Sequence, residues 1–322
     1  MTNIRLIKKL DSDILFEPIR EGFGKGLVSA GKTNPQVVAA CADLTDSTKM
    51  SLFKSEFPDR FFEIGVAEQN LVTVGSGLAA MGKIPFVSSY AAFSPGRNWE
   101  QIRTTICLND QPVKIVGSHA GVSVGPDGAT HQMLEDIALM RVLPNMVVIV
   151  PCDSLQAEKA TQAMANDSRP NYLRLAREAT AVITNEQTPF EIGKSYVYRE
   201  GKDLTIFACG SLVYESLVAA EVLESEGISV EVVNVATIKP LDQKTILSSV
   251  SKTRLVITVE EAQINGGLGG AISELLSEHL PTRIHRIGMQ DRFGESGEAS
   301  ELIKYFHLDS NSIVSSVKEL LN

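Results

Sequence analysis

Two stretches of this 322-residue chain concentrate the residue types that acid–base and substrate-binding chemistry needs. The first is residues 60–80, RFFEIGVAEQNLVTVGSGLAA, where a short apolar strand runs into a helix that starts at Glu68. Gly75, Ser76, Gly77, Ala79 and Ala80 give that helix a face that can approach another backbone closely. A carboxylate at a helix start meets the positive end of the dipole, worth ~0.3–1 kcal/mol, and position alone assigns it nothing more. The second is residues 117–132, GSHAGVSVGPDGATHQ, directly after the apolar run PVKIV. It carries His119, Asp127 and His131. Histidine can donate, accept and titrate near neutrality. Zinc-binding histidines on one helix sit close together, whereas these two are separated by a Gly-rich loop with no Cys, so no metal ligands are expected in this chain. In residues 85–93, PFVSSYAAF, Tyr90 and Phe93 follow a strand and suit ring stacking or the core. Arg20 (in PIREGFGKGL) and Arg177 (after YLRLA) could fork onto phosphate oxygens, or equally form surface ion pairs. Asp43 lies in ADLT, and Ser47 follows it. Residues 260–270, EEAQINGGLGG, could cradle a phosphate at a helix start but read as a tight strand-to-helix turn.

These residues need elements to position them. Residues 37–43, 112–119, 146–153 and 171–175 are nearly continuous apolar runs, as expected of parallel strands covered on both faces. Helical patterns fall at 19–30, 67–81, 99–108, 134–141 and 154–166, with Asp153 and Ser154 as candidate caps for the last. Residues 178–200 show no period, contain Pro189 and read as a crossing linker. The alternation then restarts, with strands at 204–210, 230–235, 255–260 and 283–288. Helices follow at 213–226, 242–250, 267–279, 296–306 and 312–321. Two βα runs imply an α/β protein of two doubly wound domains, 1–186 and 200–322, with 187–199 as linker. Such sheets bind ligands at the carboxyl ends of their strands, which singles out Asp43, His119, Asp153, Arg177 and Glu261.

The GVAEQ motif resembles the helix start of the pyrimidine-binding domain in the transketolase family, and nearly the same stretch occurs in deoxyxylulose-phosphate synthases. The resemblance extends from about Arg20 to Leu308 and implies a smaller carboxyl-terminal transketolase domain after the linker. It implies that Glu68 bonds to N1′ of the aminopyrimidine of thiamine diphosphate, and that Tyr90 and Phe93 line that ring's pocket. Asp43 would lie near the cofactor at the subunit contact. His119 and His131 would bind hydroxyls and the reacting carbonyl of a sugar, and Asp127 would read a hydroxyl. Arg20, Ser47 and Arg177 would hold the sugar phosphate. Pro126 stands where many transketolases carry Glu. The match at Tyr90 and Phe93 is looser than the others, because the sequence up to Arg103 carries an extra residue.

The family's diphosphate-binding domain carries a GDG motif and, later, an Asn that together hold Mg2+ or Ca2+; no GDG occurs in this sequence. A diphosphate with no ion and no cradle would be an uncompensated charge cluster. The expectation is therefore a split enzyme: this chain, self-associated as a dimer core, binding an N-terminal transketolase subunit that brings GDG and the metal, in an α2β2 heterotetramer. The expected reaction is transfer of a two-carbon ketol unit between sugar phosphates. Alternatives are a 1-deoxyxylulose-5-phosphate synthase-like or a 2-oxoacid dehydrogenase E1 beta-like subunit, or a non-catalytic α/β partner-binding subunit.

Composition is consistent with this. A net charge of -9 and a pI near 5.2 disfavour nucleic-acid binding. No run approaches the ~20 apolar residues of a membrane helix, and the amino terminus lacks the pattern of a signal peptide. Cys41, Cys107, Cys152 and Cys209 form no CxxC pair and read as buried thiols of a cytoplasmic protein.

Overall fold

The apolar runs become the middle strands of two sheets in the computed structural model, which describes residue 6 and residues 14–321. The first sheet has the strand order Thr237–Lys239, Val147–Ile149, Asn171–Arg174, Lys114–Ser118, Ile84–Tyr90, Val37–Cys41, Phe61–Glu63. All its pairings are parallel except that of Thr237–Lys239, which runs antiparallel at one edge. The second sheet has the order Ile284–Met289, Val256–Gln263, Leu204–Ala208, Val230–Asn234, Tyr196–Arg199, antiparallel only at its last pair. The architecture is thus two α/β units, with the helices packed on both faces of mostly parallel sheets.

Helix Ile19–Thr33 lies against helix Ser154–Ala165 because glycines permit the approach. A Cβ on Gly22 would stand 1.7 Å from the Ser154 carbonyl oxygen, and one on Gly26 2.7 Å from that of Glu158. Asp153 caps the second helix, accepting the Gln156 N–H at 2.8 Å. Its other oxygen accepts the Ile183 and Thr184 N–H groups at 2.9 and 2.7 Å. This strand-end residue therefore ties chain segments together, and burial pushes its carboxyl pKa up.

The crossing segment 178–200, read as a linker without a period, carries two short strands. Ala179–Ala181 pairs with Phe16–Pro18, and Tyr196–Arg199, inside the predicted 187–199 linker, forms the edge of the second sheet. Both strands are only three or four residues long and half-exposed, too short to show a period. Thr237–Lys239, from the second βα run, extends the first sheet, so the two units share core: Val148 and Val150 pack in one cluster with Phe207 and Val235. The helix predicted at 99–108 is one α-helical turn, Trp99–Gln101, followed by a π-helical stretch, Ile102–Cys107. Among the described residues no helix is long and apolar enough to cross a membrane, and all four cysteines are buried and unpaired.

Candidate active site

Strand Ile84–Tyr90 lies beside Lys114–Ser118 in the first sheet, and their carboxyl ends open toward the start of helix Glu68–Ala80. Glu68 is 1% exposed, yet its carboxylate is not bare. Oε1 accepts the Ser89 hydroxyl at 3.1 Å, and Oε2 accepts Arg97 Nη1 at 2.5 Å. Asn98 Nδ2 donates to the Glu68 carbonyl at 2.8 Å. Arg97 is half-exposed and lies over the Phe93 ring, 4.7 Å from its centroid. A carboxylate offers about four acceptor positions, so Glu68 retains capacity for a further donor.

Around it the predicted rings and histidines converge. Tyr90 stacks on His119 with centroids 3.9 Å apart and on Phe93 at 6.2 Å. The His131 ring meets Phe93 edge-on at 5.5 Å and Tyr90 at 6.5 Å. His119 is buried and holds a left-handed backbone, φ 58°, just past its strand. For a non-glycine residue that conformation is uncommon and is held by its surroundings. Burial first, then the positive charges of Arg20 and Arg177, push its pKa down to about 3, so the ring is neutral near pH 7 and offers one donor and one acceptor nitrogen. Its Nδ1 lies 2.9 Å from the Ser118 hydroxyl.

The sign of that shift gives a stability prediction. Between about pH 3 and 6.5 the unfolded ring takes a proton that the folded ring refuses. Stability is therefore lost as pH falls below 6.5, with a slope approaching about 1.4 kcal/mol per pH unit from this group. Urea denaturation of wild type and His119→Asn at pH 7 and pH 5 should show a smaller loss in the variant; equal losses would count against the buried neutral ring.

The arginines join the same cluster. Arg20 Nη1 donates to the Arg177 carbonyl, and Arg20 Nε is buried with no hydrogen-bond partner among the described residues. Arg177 Nη1 donates to the Val124 carbonyl at 2.5 Å, inside the segment that carries Asp127. Asp127 ends the turn Val122–Asp127 and is exposed. Asp43, also left-handed at φ 58°, donates its N–H to Glu63 Oε1 at 2.7 Å. Ser47 is partly exposed in the turn that follows. Among the described residues no hydrogen bond, ion pair or ring contact ties Asp43, Ser47 or Asp127 to the Glu68 cluster.

Sequence reasoning missed Arg97, Ser89 and Asn98 as partners of Glu68. Ser89 lay inside a motif already singled out, while Arg97 and Asn98 sit in aperiodic loop. It also missed the buried group in which Tyr172 Oη and Arg174 Nε both bond the Asp136 carboxylate, at 2.7 and 2.9 Å. The Gly-rich segment 260–270 is a turn, as read: Glu260 accepts the Leu268 and Gly269 N–H groups of the next helix at 2.7 and 2.8 Å.

Residues 18–182 match the family model for the transketolase pyrimidine binding domain, and residues 193–313 that for the transketolase C-terminal domain. The chain is 46% identical to a Methanocaldococcus jannaschii protein named as a transketolase C-terminal section, covering 95% of this chain and 96% of that one. It is 40% identical to the 6-deoxy-6-sulfo-D-fructose transketolase subunit SqwH of a Clostridium species, covering 94% of each. Against human transketolase it is 35% identical over 94% of its own length but spans only 49% of that protein. A solved structure described as a split gene transketolase, inactive beta4 tetramer, superposes with a TM-score of 0.89 at 43% identity, covering 94% of this chain and 98% of that one. This chain, with its buried Glu68 and the rings that gather beside it, belongs to the transketolase family.

Proposed function

We propose that this chain is the carboxyl-terminal subunit of a split transketolase, transferring a two-carbon ketol unit between anionic sugars once a partner chain supplies the diphosphate- and metal-binding domain. The observation that carries the reading is the gathering of a buried helix-start carboxylate, two histidines, two aromatic rings and two arginines into one cluster of side chains. When bound, thiamine diphosphate supplies the carbanion-stabilising chemistry that side chains lack. Glu68 would hold the aminopyrimidine and a proton at N1′, with Ser89 and Arg97 fixing its carboxylate. Phe93 and Tyr90 would line the ring, and Asp43 would approach it at the subunit contact.

The substrate side falls to the other residues. His119 and His131, the first kept neutral by its surroundings, would bind the carbonyl and hydroxyls of the sugar, and Asp127 a further hydroxyl. Arg20, Arg177 and Ser47 would hold the terminal anion; the unpartnered Arg20 Nε is a donor with that capacity to spare. The name of the Clostridium relative, which has a sulfonated sugar, supports an anion site not restricted to phosphate. The relatives that this chain matches end to end, one a C-terminal section and one an inactive beta4 tetramer, support a partner that brings GDG and Mg2+ or Ca2+ into an α2β2 assembly.

The reading is tested by assaying ketol transfer from a ketose phosphate to an aldose phosphate with this chain, a GDG-bearing partner and both together. Activity should appear only in the mixture. Turnover of a 2-oxoacid in its place would favour the synthase or dehydrogenase alternative.

A further inference from the structure

The segment that carries His119, Asp127 and His131 has almost no regular structure of its own. It bends through Gly121, Gly125 and Gly128, all with positive φ, and holds one short 3-10 turn. Much of its shape is set by residues of the second unit. Glu261, 3% exposed and two residues before the end of the strand Val256–Gln263, accepts the Ser123 N–H on Oε1 at 2.6 Å. Its Oε2 accepts the Ser211 hydroxyl at 3.1 Å, from the start of helix Leu212–Ser225. The carboxylate thus spans the two units with one oxygen on each.

Neighbouring contacts give the same arrangement depth. A Cβ on Gly121 would stand 2.3 Å from Glu261 Oε1, and one on Gly128 2.3 Å from Ser296 Oγ. Only glycine admits the second unit so close at either point. Gln132 Nε2 donates to the Val122 and Glu295 carbonyls, each at 2.9 Å, closing the loop's far end. Arg174, buried under the loop, donates to the Glu261 carbonyl at 2.7 Å.

We propose that Glu261 is a positioning residue for the substrate: through Ser123 it fixes the loop that presents His119, Asp127 and His131, giving the carboxyl-terminal unit an indirect part in sugar binding. The inference rests on the transketolase reading for its substrate but not for its geometry. A side chain that reaches both partners at once is suited to the task, since a buried site leaves no water to take the place of either bond.

The test uses Glu261→Ala, Glu261→Gln and Glu261→Asp. Glutamine keeps the reach to both partners, whereas aspartate keeps the charge and loses the reach. In the assembled enzyme, Glu261→Ala and Glu261→Asp should raise the ketose phosphate KM about tenfold or more with kcat changed less than threefold. Glu261→Gln should stay within about threefold of wild type. Hydrogen exchange of the unassembled chain should show faster exchange across residues 120–131 in the Ala and Asp variants, with the sheet strands unchanged. If the Ala variant does not fold, the Asp and Gln variants carry the comparison. Equal KM values and equal exchange in the Asp and Gln variants would overturn the proposal, as would a uniform loss of protection throughout the chain. The exchange measurement needs neither partner nor turnover, so a wild-type enzyme without ketol transfer would overturn the functional reading, while exchange across residues 120–131 alone decides whether Glu261 fixes the loop.

Discussion

Replacing Glu68 with alanine should slow exchange of the thiamine diphosphate C2 proton about 10²–10⁴-fold in the assembled enzyme, the usual contribution of one positioned proton-transfer group. The chain should remain folded, and the structure says why. The cation that Glu68 pairs with is half-exposed, so Arg97 can rehydrate when its partner is removed. Removing one member of a fully buried pair would instead strand a charge at a cost of about 3–5 kcal/mol. Asn98 bonds the backbone carbonyl of residue 68, which alanine retains. The Ser89 hydroxyl loses an acceptor, a cost of about 1–3 kcal/mol. Exchange and melting temperature measured together separate the two effects. An unchanged exchange rate in a folded, assembled variant would remove Glu68 from the chemistry.

What could be read beforehand follows from where each residue's role is encoded. Glu68 and His119 stand at the junctions of regular elements, and a junction is visible as a change of period. The aromatic pair was legible because it follows an apolar run whose strand character is plain. Arg97 was not, because its approach to Glu68 depends on the path of residues 94–98, where no period constrains the chain. Glu261 was legible as a strand-end position and nothing more; its partner Ser123 is 138 residues away, and only the packing of two units brings them together. The short edge strands Ala179–Ala181 and Tyr196–Arg199 were hidden for a different reason. At three or four half-exposed residues, their pairing is decided by the neighbouring strand rather than by their own composition.

The largest effect of all concerns the missing diphosphate cradle. Arg20 and Arg177 cluster with His119, where the proposed function puts the substrate anion, and the sequence contains no GDG motif. A pyrophosphate tail would carry several negative charges, and bare in solution it contributes nothing to affinity. The Glu68 pocket alone offers ring stacking and one charge-assisted hydrogen bond, together about 2–4.5 kcal/mol, which corresponds to affinity no better than millimolar. Titration calorimetry of thiamine diphosphate with Mg2+ into this chain, into a GDG-bearing partner and into their mixture tests the split directly. The account predicts no measurable heat of binding with this chain alone and tight binding, one cofactor per pair of chains, in the mixture. Tight stoichiometric binding by this chain without a partner would contradict it.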